Sequence, residues 1–179
     1  MKQQFGDLRI EVVSGDIASQ LDMDAVVNAA NAQLRPGGGV AGAIHRAAGV
    51  GLDRECRPLA PIRPGEAVIT SAHELPNKYV IHCLGPVFGL DIPSDQLLSD
   101  CYRNGLRLAE VHGIESVAFP SISTGIFGYP MQDAADVAMK TVAEEAPNLK
   151  NVRKVRFVLF GEEARRIHEQ ALRQRTAGE

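Results

Sequence analysis

Two glycine-rich stretches carry the residue types in this chain best suited to chemistry. The first, NAANAQLRPGGGVAGAIHRAAG (28–49), sets Gly37, Gly38 and Gly39 directly ahead of a segment patterned as a buried helix. Glycine lacks a Cβ and weakens regular structure, so three in a row imply that something comes close to the main chain. A glycine loop feeding a helix N-terminus aims free N–H groups and the positive end of the helix dipole at an anion. Taken alone, the stretch is explained equally well as a tight strand-to-helix turn. The second stretch, FPSISTGIFGYP (119–130), offers Ser121, Ser123, Thr124, Gly125 and Gly128. Hydroxyls and bare N–H groups are the donors a diphosphate requires; a polar loop of ordinary turn residues is the alternative. A shared absence links the two. No Asp or Glu occurs from Ala25 to Leu52 or from Ser116 to Gln132, in a chain with 22 acids. Neither stretch therefore repels a phosphate.

Other chemistries fit less well. Gly37, Gly39 and Gly42 match G-x-G-x-x-G, but the dinucleotide-binding form follows its strand directly, and here NAQLRPG intervenes. No Lys-Ser or Lys-Thr follows the glycines, which excludes a Walker loop. His82 adjoins Cys83, yet neighbours on a strand point to opposite faces, so they do not form a nucleophile pair. The five histidines lack metal-ligand spacing with any cysteine, so neither a metal site nor a cofactor is expected.

These stretches must be held by a scaffold. Apolar patterning predicts strands at Arg9–Ser14, Ala25–Ala29, Ala67–Thr70, Tyr79–Cys83, Ser116–Phe119 and Val155–Phe160. Runs such as YVIHC and VRFVLF suit strands covered on both faces. Helices alternate with them. Val40, Ile44, Ala47 and Ala48 form one stripe, which Gly49 is placed to end. Leu97, Cys101, Leu108 and Val111 form another, stopping at Gly113. A third helix follows Pro130, which a first turn accepts. Ala164, Ile167 and Ala171 face inward on the last. The expected class is α/β: three layers, α/β/α, around a central mixed six-stranded sheet. If the strands preceding the two loops run parallel, both loops emerge at one sheet edge, where open α/β sheets bind ligands.

The chain has 179 residues, 45% hydrophobic and 23% charged, which fits one domain over 1–179 with a frayed tail from about Gln174. The net charge of −3 argues against nucleic acid as a partner. No stretch approaches a membrane span or a secretory h-region, and the three cysteines have no paired spacing. A cytoplasmic protein with reduced thiols is expected.

Five motifs in order, SGDI, VVNAAN, GGGVAGAIHRAAG, VIHCLGP and FPSISTGIFGYP, resemble those of macrodomains, the ADP-ribose-binding modules. They span nearly the whole chain. The resemblance is strongest to stand-alone bacterial members that remove ADP-ribose from acidic side chains and deacetylate O-acetyl-ADP-ribose. It implies ADP-ribose, ADP-ribosylated proteins and O-acetyl-ADP-ribose as partners. It implies that Asp16 accepts a hydrogen bond from the adenine amino group, with Ile17 beside it; as a residue, Asp16 also suits an N-cap. Asn31 resembles the asparagine that orients the distal ribose, and also suits a turn bonding its own backbone. Gly38, Gly39 and Val40 resemble the first phosphate and ribose loop. Ser123, Thr124, Gly125, Ile126 and Phe127 resemble the second. Phe160 resembles the aromatic that packs near adenine; a core phenylalanine is the alternative. Asn31 and Gly39 are the positions implied for the reaction itself.

One position departs from the pattern. Many hydrolytic members carry aspartate where this chain has Ala41, and that carboxylate is assigned to activating water or orienting the distal ribose. A methyl group neither accepts a proton nor binds a hydroxyl. Other active members also carry alanine there and are thought to use the ligand's own phosphate. Slower turnover than in aspartate-bearing relatives is expected. His45, one turn on, is read as structural.

Overall fold

A computed structural model describes residues 1–177. Seven strands form one sheet: β1 (Lys2–Phe5), β2 (Leu8–Ser14), β3 (Ala25–Ala29), β4 (Ala67–Ser71), β5 (Tyr79–Cys83), β6 (Ser116–Phe119) and β7 (Lys154–Leu159). Five α-helices accompany them: α1 (Gly39–Ala48), α2 (Val50–Cys56), α3 (Ser94–Val111), α4 (Met131–Glu145) and α5 (Glu162–Ala177). The sheet order is β1-β2-β7-β6-β3-β5-β4, parallel through its centre and antiparallel at both edges.

Strand alternation sorts side chains into two apolar layers. Ile81, Val117, Phe119 and Phe157 face α3, α4 and α5. Val26, Val80, Ala118 and Val158 face α1 and α2. The expected three-layer class is therefore the observed one. The strand count differs, seven rather than six. KQQF has no apolar alternation because β1 is an edge strand, paired only with β2 through a turn at Gly6 (φ 58°). The inward face of α3 also differs. Leu98, Cys101, Tyr102, Leu106 and Ala109 are buried, whereas Leu97 and Leu108 are half-buried and Val111 is exposed. Gly49 (φ 83°) ends α1 and immediately opens α2, a helix the sequence pattern did not suggest. The expectation of a frayed tail falls partly outside the described residues; α5 itself continues past Gln174 to Ala177. Among the described residues, no helix is long and apolar enough to cross a membrane.

Candidate functional site

Because β2, β7, β6 and β3 are parallel, the chain leaves all four at one edge of the sheet. A cavity of about 830 Å³ opens there. Its walls come from Gly15, Asp16 and Ile17 after β2, from Phe160 and Gly161 after β7, from Pro120, Ser121, Thr124 and Gly125 after β6, and from Gly39, Val40 and Ala43 at the start of α1. Among the described residues, Asp16 is the one charged residue in the wall, and no Lys, Arg or His lines it. A smaller hollow of about 290 Å³ between α3 and β4 does carry Glu66 and Arg107, but neither glycine loop reaches it.

The first loop is built from below. Asn31 donates through Nδ2 to the Arg35 carbonyl (2.7 Å) and accepts the Arg35 amide on Oδ1 (3.0 Å). Leu34 is fully buried with φ 55°, a conformation that costs a bulky residue energy and persists only where packing fixes it. Arg35 Nε lies 3.0 Å from Asp53 Oδ1, tying the loop to α2. A Cβ on Gly42 would come 2.3 Å from the Gly37 carbonyl oxygen, so glycine there lets the loop lie against α1. The first helical bond runs from the Gly42 amide to the Gly38 carbonyl (3.2 Å). Among the described residues, the amides of Gly38, Gly39, Val40 and Ala41 donate to no acceptor, as helix geometry requires of a first turn without a side-chain cap.

The second loop mirrors this. Tyr129 N–H bonds the Ser123 carbonyl (2.9 Å) and Gly128 N–H bonds the Gly125 carbonyl (3.0 Å). The amides of Thr124, Gly125, Ile126 and Phe127 donate to no acceptor among the described residues. Ser121 and Thr124 hydroxyls lie 2.7 Å apart in the cavity wall. Ser123 has φ 68°, and its buried hydroxyl has no partner among the described residues. Two sets of unused amides thus flank one crevice, with a helix dipole behind the first. Such an arrangement suits an anion without basic side chains.

Of the residues expected at the site, Asp16, Ile17, Gly39, Val40, Thr124, Gly125 and Phe160 line the cavity. Gly38 caps α1 beside it, and Asn31 sits beneath the loop, with its Nδ2 3.4 Å from a Cβ built on Gly37. Ser123 is buried behind the wall, Phe127 packs partly on the core, and Ile126 is fully exposed. Asp16 acts as an N-cap, accepting the Ala18 amide on Oδ1 (2.9 Å), while it lines the cavity. Phe160 is 98% exposed, which overturns the core alternative. Gly15, Ala43, Met131 and Gly161 were not expected in the wall. Gly15 lies beside Phe160 because β2 and β7 pair in register, Ser14 opposite Leu159, a partnership that no local spacing reveals.

The three cysteines, His45 and His82 are buried. His82 faces α2, with Nε2 3.0 Å from Thr70 Oγ1 and Nδ1 3.1 Å from Asn28 Nδ2. Burial pushes its pKa down to about 3, so it is neutral. Cys83 lies on the opposite face, in the other apolar layer. Burial raises the Cys56 thiol to about 11 and the Cys101 thiol to about 12, and raises Cys83 well above its ordinary value. None is a thiolate at neutral pH. His45 is buried, and burial lowers its pKa against the opposing pull of Asp53. Ala41 is buried in the first turn of α1, outside the cavity lining.

Comparison with known proteins agrees with this geometry. A Macro domain family model matches residues 27–138. The Macro domain-containing protein CT2219 of Chlorobaculum tepidum is 47% identical over 164 residues, covering 91% of this chain and 95% of the relative. An O-acetyl-ADP-ribose deacetylase of Citrobacter rodentium is 46% identical over 171 residues, covering 93% and 96%. The Oceanobacillus iheyensis macrodomain with ADP superposes with a TM-score of 0.95 at 38% identity, over 100% of this chain and 97% of that one. The Trypanosoma brucei macrodomain in complex with ADP-ribose gives 0.84 at 35% identity, over 91% and 68%. The chain belongs to the Macro domain family.

Proposed function

We propose that this protein binds ADP-ribose in the crevice and hydrolyses ADP-ribosyl esters, both mono-ADP-ribose on Glu or Asp side chains and O-acetyl-ADP-ribose. One observation carries the reading: the amides of Gly39, Val40, Thr124 and Gly125, unused among the described residues, belong to residues that line one cavity, and none of its described lining residues is basic. Relatives named O-acetyl-ADP-ribose deacetylase, and relatives solved with ADP and with ADP-ribose, support it.

In this reading the diphosphate lies between Gly38–Val40 and Thr124–Phe127, and the ring of Phe160 covers the adenine. Asp16 offers Oδ2 to the adenine amino group: Oδ1 is engaged by the Ala18 amide, and Oδ2 takes only a long contact from the Ser19 hydroxyl (3.5 Å). Asn31 retains one amide hydrogen and one oxygen lone pair for the distal ribose beyond its two bonds to Arg35. Water attacks the ester carbonyl, the bond from that carbon to the ribose oxygen breaks, and the ribose oxygen gains the proton. The products are ADP-ribose and a carboxylic acid, which gives its remaining proton to solvent and becomes a carboxylate. With Ala41 in place of a carboxylate, the ligand's own phosphate takes the water's proton. The amides of the first loop steady the developing negative charge without reorganising.

Ala41 also favours a second reading, a module that reads ADP-ribose without cleaving it. The deciding experiment follows release of ADP-ribose from a glutamate-modified protein by wild type and by Ala41→Asp, with ADP-ribose titrated into both. General-base catalysis is worth about 10²–10⁴-fold, so Ala41→Asp is expected to release faster at similar affinity. Measurable wild-type turnover supports the enzyme; none, with tight binding, supports the reader. Unchanged release by a variant that binds normally would refute the role given to this position.

A further inference from the structure

We infer that Gly85, which lies outside the cavity lining, is a positioning residue that sets where the second loop stands. The inference rests on the reading that this loop grips the diphosphate. A Cβ on Gly85 would come 2.0 Å from Ser123 Oγ and 2.6 Å from Ile122 Cγ2, both side chains of the second loop. The φ of Gly85 lies outside the left-handed region, so glycine is needed there for space and not for backbone freedom.

The two sides of this contact are unequally anchored. The preceding residue, Leu84, is held three ways. Its amide donates to the Glu66 carbonyl (3.2 Å), and its carbonyl accepts the Gly65 amide (2.8 Å) and the Cys101 thiol (3.1 Å). Opposite it, Ser123 sits at φ 68° with a buried hydroxyl that has no partner among the described residues. The loop beyond Ser123 is held by single backbone bonds, Tyr129 to Ser123, Gly128 to Gly125, and Phe88 to Phe127. Gly125, Ile126 and Gly128 are exposed. An added methyl therefore displaces the second loop, not the Leu84 segment. Rotation about the Ser123 Cα–Cβ bond carries Oγ away, but Ser123 Cβ at 3.3 Å and Ile122 Cγ2 at 2.6 Å still press on the new methyl, and restoring an ordinary contact of about 3.5 Å requires roughly 1 Å of movement at Ile122. A misplacement of about 1 Å in positioning groups can cost on the order of 10²-fold. The unfavourable Ser123 conformation is thus kept where Gly85 leaves room for it.

The test is a double-mutant cycle on Gly85→Ala and Ser123→Gly, with ADP-ribose titrated calorimetrically and melting followed for each variant. Gly85→Ala is expected to raise the ADP-ribose Kd at least tenfold at unchanged stoichiometry. Ser123→Gly removes both the hydroxyl and the Cβ that oppose the new methyl, so Gly85→Ala should cost several-fold less in that background. Ile122 still opposes the methyl, so recovery is partial. If Gly85→Ala instead lowers only the melting temperature or the fraction of competent molecules, Gly85 is structural and the inference fails. It also fails if the loss in Kd is the same in both backgrounds. If wild type does not bind ADP-ribose at all, the underlying reading of the site fails first, and the two failures are distinct.

Discussion

Truncating Phe160 to alanine separates the role of this residue in binding from any role in folding. The ring is 98% exposed although it lines the cavity, and it stands just past β7 next to Gly161 (φ 96°). A side chain with so little burial has almost nothing to lose on truncation, so Phe160→Ala should change stability by no more than about 0.5 kcal/mol. A buried phenylalanine would cost about 3–5 kcal/mol. At about 2–4 °C per kcal/mol for a domain of this size, the expected melting shift is under about 2 °C. Binding should respond differently. Stacking of a base on an aromatic is worth about 1–3 kcal/mol by alanine substitution, so the ADP-ribose Kd should rise about 5- to 150-fold. Calorimetric titration of ADP-ribose measures this, and ribose 5-phosphate, which has no adenine, should bind both proteins equally. A folded Phe160→Ala variant with unchanged ADP-ribose affinity would refute the placement of adenine at this ring. Equal weakening for both ligands would show that residue 160 acts through the loops instead.

Two further outcomes are expected. Asn31→Ala removes both hydrogen bonds that close the 31–35 turn under the glycine loop, so ADP-ribose should bind at least tenfold more weakly in a folded protein; equal affinity would remove Asn31 from the site. Acid should weaken the fold through buried histidines. The folded pKa of His82 is pushed down to about 3, below its ordinary 6.5, so between those values the unfolded chain binds the extra proton. Stability is then full above about pH 6.5 and falls as pH drops, by about 2 kcal/mol at pH 5 for this one group. His45 and His168, lowered in the same direction by burial, add to the loss. Denaturant unfolding at pH 7.5 and pH 5.0 checks this, and equal stability at the two would contradict it.

β3, β5 and β6 can be read in the chain because each is a short, mostly apolar run that begins directly after a charged residue, Asp24, Lys78 and Glu115. Both glycine loops are legible for a related reason, since glycine, hydroxyls and missing acids are local properties of composition. What stayed hidden depends on partners distant in sequence. β1 shows no pattern because a polar edge strand needs none. The buried face of α3 is set by the sheet beneath it and is rotated from the stripe that apolar spacing alone suggests. The Asn31–Arg35 closure, Leu34 in its left-handed conformation and the approach of Gly85 to Ser123 are facts of packing that no spacing rule encodes. Phe160 was ambiguous because an aromatic at a strand end reads the same whether it turns inward or outward.

In the proposed function, main-chain amides of two facing loops hold a diphosphate with no basic side chain. A crystal structure of the protein with ADP-ribose tests it most directly. The diphosphate oxygens should lie at about 2.7–3.2 Å from amide nitrogens within Gly38–Val40 and Thr124–Phe127, with no Lys or Arg in contact. A diphosphate coordinated by Arg or Lys, or seated outside this crevice, would contradict it.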